Sequence, residues 1–217
     1  MESVQVVASQ WRSFVDQNRD IFIYGMSGHG KVVKEIAQLN GYNVVSYIDD
    51  DASKNVYTFE TFTSHFKNVN IAFGIGENHI RERLFNKLHA LDYHFPVLIH
   101  PTAIISTSVR IAEATIVMPH VIVNSGSVIH RGVILNSGSI IEHDNCIADF
   151  VHISPGVSLA GEVTIGIKSH IGIGSTIIQQ KNIGENSIIG AGSVVINNMP
   201  DNITAVGNPA IIIKRRP

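Results

Sequence analysis

With a single cysteine, Cys146, the chain cannot form an intrachain disulfide, so nothing in it calls for an oxidising compartment. Charge is also sparse. Only 16% of the 217 residues are charged, and 16 Lys and Arg against 18 Asp and Glu leave a net −2, which offers no footprint for nucleic acid. No apolar run approaches the ~20 residues of a membrane span. The start, with Glu2 and no long apolar core, does not read as a secretion signal. The expectation is a cytoplasmic protein with no nucleic-acid or membrane partner.

What the chain does have is a period. From 99 to 195 every sixth residue is Ile, Leu or Val: Ile99, Ile105, Ile111, Val117, and so on through Leu135, Ile141, Ile147 and Ile153 to Val195. A helix would repeat at three and four and a plain strand at two, so a strict six identifies a hexapeptide β-helix. Two residues before each core position runs a second row of mostly small or β-branched residues, including Val109, Thr115, Ser127, Ser139, Asn145 and Ser175, with Lys181 as its main break. Such residues suit the corner of a triangular coil. Three sides give about eighteen residues per coil, and strands about 4.8 Å apart make a prism roughly 25 Å tall from five to six coils.

The first hundred residues alternate differently. They predict a strand over 21–24, a helix over 31–39, strands over 44–48 and 69–73, a helix over 79–91 and an exit through 95–99. An earlier segment with Val7, Trp11, Phe14 and Val15 suits an extra amphipathic helix. The domains are therefore 1–98, a Rossmann-like α/β unit, and 99–217, the β-helix. Gly25, Gly28 and Gly30 fill the first strand-to-helix turn, where backbone N–H groups favour a phosphate, although Val33 stands where a dinucleotide fingerprint has its third glycine. Asp49 and Asp50 close the second strand, a position from which carboxylates reach ribose or base, or simply solvent. Gly74 and Gly76 end the next strand and either clear space at that crevice or serve a turn.

On the prism, inward side chains are packing, so chemistry must come from outward ones. His143 lies two residues past Ile141, flanked one coil below and above by the small Ser125 and Gly161 and followed by Asp144. A carboxylate beside an imidazole fixes its tautomer and raises its basicity, as a general base requires. Asn136 offers an amide on a neighbouring side. His152 is half a coil from His143, so one pocket uses both only across a subunit interface, and His170 stacks above His152 among Gly156, Gly161, Gly166, Gly172 and Gly174. His100, His120 and His130 read as surface residues. Zinc, as in the γ-type carbonic anhydrases, would need three converging imidazoles, and the sequence has no pair at the short histidine spacing of those enzymes, so no metal is expected. Cys146 has no evident activating base and is not expected to carry an acyl group.

Gly25-Met-Ser-Gly-His-Gly30, Ile48-Asp-Asp50, Asn136-Ser-Gly-Ser-Ile-Ile-Glu-His-Asp144, Phe150-Val-His-Ile-Ser154 and Val206-Gly-Asn-Pro-Ala210 together resemble the bacterial sugar O- and N-acyltransferases, which join a small nucleotide-binding domain to a left-handed β-helix. The resemblance covers nearly the whole chain after residue 20 and leans towards the UDP-4-amino-sugar N-acetyltransferases of bacillosamine synthesis, with GDP-perosamine N-acetyltransferases and sialic acid O-acetyltransferases as further kin. It implies a left-handed coil, His143 as general base and Asp144, where the near relative has Glu, as the residue raising its basicity. It also implies Ser27, Gly28 and His29 at a nucleotide-sugar diphosphate, Asp49 and Asp50 at the nucleoside and Gly76 at the same ligand. His152, Ile173 and the turn around Ala191, where the relative has Gly, would line an acetyl-CoA groove, and Gly161 is the expected oxyanion donor. The expected reaction is direct N-acetylation of a nucleotide-linked amino sugar in glycan precursor synthesis. Alternatives are sialic-type O-acetylation, which would want an arginine for the sugar carboxylate, and a non-enzymatic sugar-nucleotide binder. Flat outward rows on the prism predict a homotrimer.

Overall fold

The computed structural model describes residues 19–216. The expected helix around Val7 to Val15 lies outside them. The chain divides into two compact units, Met1–Pro101 and Thr102–Pro217.

In the first unit, β1 (Asp20–Tyr24), β2 (Asn43–Ile48) and β3 (Asn70–Phe73) form a parallel sheet in the order 2-1-3. The central strand is the most apolar: Ile21, Phe22, Ile23 and Tyr24 are all buried, as a strand covered on both faces must be. Helix α1 (Gly28–Leu39) follows β1 and buries Gly30, Val33, Ile36 and Ala37. It starts three residues earlier than the apolar periodicity indicates, because Ser27 caps it. A helix not expected from the sequence, α2 (Phe59–His65), is held by a reciprocal cap between Thr58 and Thr61 and inserts Phe62 against Phe22 and Phe66. At seven residues with one buried side chain it carries no periodic stripe to detect. Helix α3 (Asn78–His89) turns Leu84, Phe85 and Leu88 inward.

The second unit is a β-solenoid. Two-residue strands stack in parallel on three faces, six deep on the face that starts at Ile104–Ile105 and five deep on the face that starts at Arg110–Ile111. Every member of the six-residue core row from Ile105 to Val195 is at most 9% exposed. Each such side chain contributes about 1.5–3 kcal/mol by leaving water. Strand N–H groups donate to carbonyls one coil up, as Ile134 to Val151 and Asn136 to Ile153. An antiparallel hairpin, Ile203–Gly207 with Ala210–Arg215, pairs with Ile188–Ile189 and covers the end of that sheet.

A second register of six emerges at the corners. Every sixth residue from 114 to 192, including Ala114, Gly126, Gly138, Asp144, Phe150 and Glu162, has φ between 51° and 77°. The tight reversal demands this left-handed conformation even of non-glycine residues, at roughly 1–2 kcal/mol each. The small-residue row satisfies the corners: Thr115 and Ser127 donate to the carbonyls of His130 and Glu142 and accept from the N–H groups of Val133 and Asn145. Ser139, buried in the same row, has no hydrogen-bond partner for its hydroxyl among the described residues. Ser127→Ala strands the buried Asn145 N–H, while the Glu142 carbonyl keeps the Asn145 amide, and is expected to cost about 1–3 kcal/mol. Ser139→Ala should be neutral or stabilising, and chemical-denaturation midpoints of the two variants distinguish these outcomes.

Candidate functional site

In the first unit, the Gly25–Gly30 turn is built by close backbone approach. A Cβ on Gly74 would lie 2.5 Å from the Gly30 Cα, and one on Gly25 would lie 2.8 Å from the Gly74 carbonyl, so the ends of β1 and β3 meet the start of α1 only because these residues lack side chains. Ser27 joins all three, accepting from Gly30 N–H at 3.4 Å and donating to the Gly74 carbonyl at 3.1 Å. Gly28 is exposed at the helix start, a Cβ there would meet nothing within 4 Å, and no acidic residue sits in the first turn. That combination leaves a helix N-terminus open to an anion.

Asp49 and Asp50 are tied into this turn. The Asp49 carboxylate accepts from Met26 N–H at 2.8 Å, Asp51 N–H at 3.1 Å and Lys54 Nζ at 2.7 Å. Its partial burial alone would raise its pKa, but Lys54 and the two N–H donors outweigh that and hold it below the usual carboxylate value. Asp50 accepts from the Tyr24 hydroxyl and from Phe59 N–H, each at 2.8 Å. Both therefore brace the segments that follow β1 and β2.

His29 follows Gly28 with its Nε2 buried. Burial, and then the nearby Arg81 guanidinium, push its pKa down to about 4, so the imidazole is neutral at physiological pH. Arg81 is fully buried and donates to the carbonyls of Ile75 at 3.1 Å and Gly76 at 3.2 Å and to Asn78 Oδ1 at 3.0 Å. It thereby sets the loop that carries Gly76. Sequence reasoning does not single out Arg81, although it occupies the apolar stripe with Leu84, Phe85 and Leu88, where a cation must be held by the fold.

In the second unit, His143 projects from a solenoid corner. Its Nδ1 lies 2.9 Å from Asp144 Oδ2. A carboxylate accepts, so Nδ1 carries the proton and Nε2 is the basic nitrogen. The Asp144 hydrogen bond is the main cause of a raised imidazole pKa; desolvation opposes it, and the charges of Asp144, Glu142 and Glu162 add attraction for the proton. The left-handed backbone at Asp144, φ 58°, returns its carboxylate to the ring. A Cβ on Gly161 would lie 2.5 Å from the ring's Cε1 and Nε2, and one on Gly126 would collide with Asp144 Oδ1. The pair thus lies across glycines in the coils above and below. Gly161 N–H has no protein acceptor among the described residues.

Asn136 joins His152 rather than His143. Its Oδ1 accepts from Ser137 N–H at 2.9 Å, which orients Nδ2 towards His152 Nε2 at 3.1 Å. His152 is 9% exposed and its ring lies 4.7 Å from that of His170, whose Nε2 meets Ser154 Oγ at 2.8 Å. Beyond them Ile173 is 56% exposed, and Ala191 stands at an exposed corner. Gly138, Gly156, Gly174 and Gly192 occupy successive coils of one edge, and a Cβ on any of them would meet nothing within 4 Å, which leaves a smooth ledge for a thin ligand. Cys146 does have an imidazole neighbour, His130 Nε2 at 3.9 Å, contrary to the expectation from sequence. Among the described residues no group of three His, Cys, Asp or Glu could hold a metal, and no helix is long and apolar enough to cross a membrane.

Residues 20–88 match the family described as the PglD N-terminal domain. Over 114 residues the chain is 37% identical to UDP-N-acetylbacillosamine N-acetyltransferase of Bacillus subtilis (strain 168), a match spanning 46% of this chain and 51% of that enzyme, about half its length. The acetyltransferase domain of PglB from Neisseria gonorrhoeae superposes with a TM-score of 0.82 at 36% identity, over 90% of this chain and all of that one. A GDP-perosamine N-acetyltransferase from Caulobacter crescentus, solved as a histidine-to-alanine mutant with coenzyme A and GDP-perosamine, superposes at 0.86 with 31% identity, over 90% and 97% of the two chains.

The buried His29 ring makes stability depend on pH. The unfolded chain binds this proton from about pH 6.5 downwards, the folded one only near 4. Stability is therefore complete above that window and falls as pH drops through it, by up to about 3 kcal/mol from this residue. The difference between wild type and His29→Gln in unfolding free energy, measured from pH 7 to 4, should shrink accordingly.

Proposed function

Because the chain belongs to the sugar acyltransferase family that couples a PglD-type N-terminal domain to a hexapeptide β-helix, we propose that it transfers the acetyl group of acetyl-CoA to the amino group of a nucleotide-linked sugar, of the 4-amino-4,6-dideoxy type. The observation that carries this reading is the His143–Asp144 pair: an exposed imidazole with its proton on Nδ1 and its basic Nε2 against Gly161, where no side chain intervenes. The crystallised relatives support the choice of substrates, since one is an N-acetyltransferase solved with coenzyme A and GDP-perosamine and another has been solved with acetyl coenzyme A.

In this mechanism the sugar nitrogen attacks the thioester carbonyl as His143 Nε2 takes its proton, forming a tetrahedral oxyanion. The Gly161 N–H would donate to that oxygen, a role supported by its lack of a protein acceptor among the described residues. Collapse breaks the carbon–sulfur bond, and the proton held by His143 passes to the departing thiolate. Asp144 stabilises the imidazolium in between without itself being protonated. Ser27, Gly28 and the neutral His29 would meet the diphosphate at the α1 N-terminus, and Asp49, Asp50 and Gly76 would border the nucleoside. The ledge flanked by His152, Ile173 and Ala191 would take the pantetheine arm.

His143 and the Asn136–His152 pair lie on different faces of the solenoid, so a site using both is made by two copies. The outward row Ile104, Ile122 and Ile140 gives a second copy an apolar face, and the assembly that closes this contact around a prism axis is a homotrimer.

Thiol release from acetyl-CoA across UDP-, GDP- and dTDP-linked amino sugars, with free sialic acid as control, tests the reaction; release with none of the nucleotide sugars ends the proposal. His143→Ala should lower kcat/KM by about 10²- to 10⁴-fold. Since the neutral imidazole is the active form and Asp144 raises its pKa, activity should rise with pH along an acid limb above the ordinary imidazole value. Asp144→Asn should move that limb to lower pH while slowing the plateau rate.

A further inference from the structure

We propose that Asn145 is a positioning residue for His143, an inference that rests on the general-base reading above. Asn145 is 1% exposed and belongs to the small-residue corner row, in which its described neighbours are chiefly Ser, Thr and Val. Its Nδ2 faces three carbonyls, those of Glu142 at 2.6 Å, Ala160 at 3.0 Å and His143 at 3.3 Å. Its Oδ1 accepts from Val163 N–H at 3.1 Å, and its own N–H donates to Ser127 Oγ at 3.1 Å. The four partners of the carboxamide fix its orientation, since only the nitrogen can donate to carbonyls and only the oxygen can accept from an N–H.

Two of these bonds are ordinary for the row. Thr115 likewise reaches the carbonyl fifteen residues on and the N–H eighteen residues on, as does Ser127. Asn145 does the same towards Ala160 and Val163, which bracket Gly161, and combines this with the carbonyls of Glu142 and His143, three and two residues back, positions of which Ser193 and Ser187 reach only one each. One buried side chain thereby joins the peptide carrying the imidazole to the coil that sets Gly161 against the ring. The ring stands against Gly161 with no side chain between, so a small shift of either backbone changes where Nε2 points. Misplacement on the order of 1 Å can cost about 10²-fold in rate.

Asn145→Ser keeps the bonds to Ala160 and Val163 and loses those to Glu142 and His143, which separates holding the fold from aiming the base. The unfolding midpoint should stay close to wild type while kcat falls about tenfold to a hundredfold, with KM for acetyl-CoA and for the nucleotide sugar unchanged. Should the serine variant fold poorly, Asn145→Thr reproduces the pattern of Thr115 and serves the same purpose. Ser169→Ala, which removes a corner bond to the Gly184 carbonyl away from His143, is the control and should leave kcat intact.

A second readout needs no turnover. The His143 imidazole titration, followed by NMR, should lie above the ordinary value in wild type and fall back towards it in the Asn145 variants, as the Asp144 contact loosens. A folded variant with wild-type kcat and wild-type titration overturns the inference. Wild-type protein that transfers no acetyl group to any nucleotide amino sugar overturns the functional reading instead, while the titration still decides whether Asn145 sets the imidazole.

Discussion

The corner of the solenoid is the constraint from which the rest follows. A coil that turns three times in about eighteen residues needs a left-handed residue at each turn, and the chain supplies one at every sixth position from 114 to 192. Where glycine occupies the corner, the outside of the prism is bare, as along Gly138, Gly156, Gly174 and Gly192. Where Asp144 occupies it, the same backbone turn brings a carboxylate against the preceding imidazole. The groove and the candidate base are thus two uses of one local conformation. Aspartate enters the left-handed region more readily than a β-branched residue, which fits it to this corner.

The first unit meets a different requirement with few charges. An anion seat at a helix N-terminus needs backbone N–H groups that nothing else occupies, and Ser27 takes only the Gly30 donor. Close by, burial keeps His29 neutral and Arg81 reinforces this, so the imidazole presents hydrogen-bonding atoms without adding a cation that water would have to solvate. Arg81 directs its guanidinium to the carbonyls of Ile75 and Gly76 and to Asn78. Rigidity of the crevice therefore comes from backbone contacts among glycines and from one buried cation, with little help from surface ion pairs.

The solenoid was legible because its period is strict and each repeat is short: every core residue from Ile105 onwards faces inward as the spacing demands. The parallel alternation of the first unit was legible for the same reason, through the apolar strands around Ile21, Val44 and Ile71. What escaped was whatever depends on contacts remote in sequence. Helix α2 is set by a cap between Thr58 and Thr61 and by one phenylalanine, too little to register as periodicity. Asp49 looks like a free carboxylate until Met26 and Lys54 are seen to share it. Asn145 looks like another small corner residue until its amide is traced to three carbonyls on two coils.

The same geometry explains why a solenoid is both a precise and an incomplete frame for this chemistry. Strands locked to neighbours on both sides hold His143 and Gly161 in a fixed relation, because the flanking N–H groups are committed to carbonyls of neighbouring coils, Ala160 to Ile177 and Glu162 to His143. That rigidity also prevents one prism from folding around a ligand. His143 and His152 are separated by nine residues, half of a coil, and so point from different faces. A flat-sided prism can make a cleft only against another surface, and its outward row Ile104, Ile122 and Ile140 offers an apolar strip for one. In the proposed function, self-association would turn two half-sites into one, with the solenoid fixing each half and the contact between copies setting the distance between them.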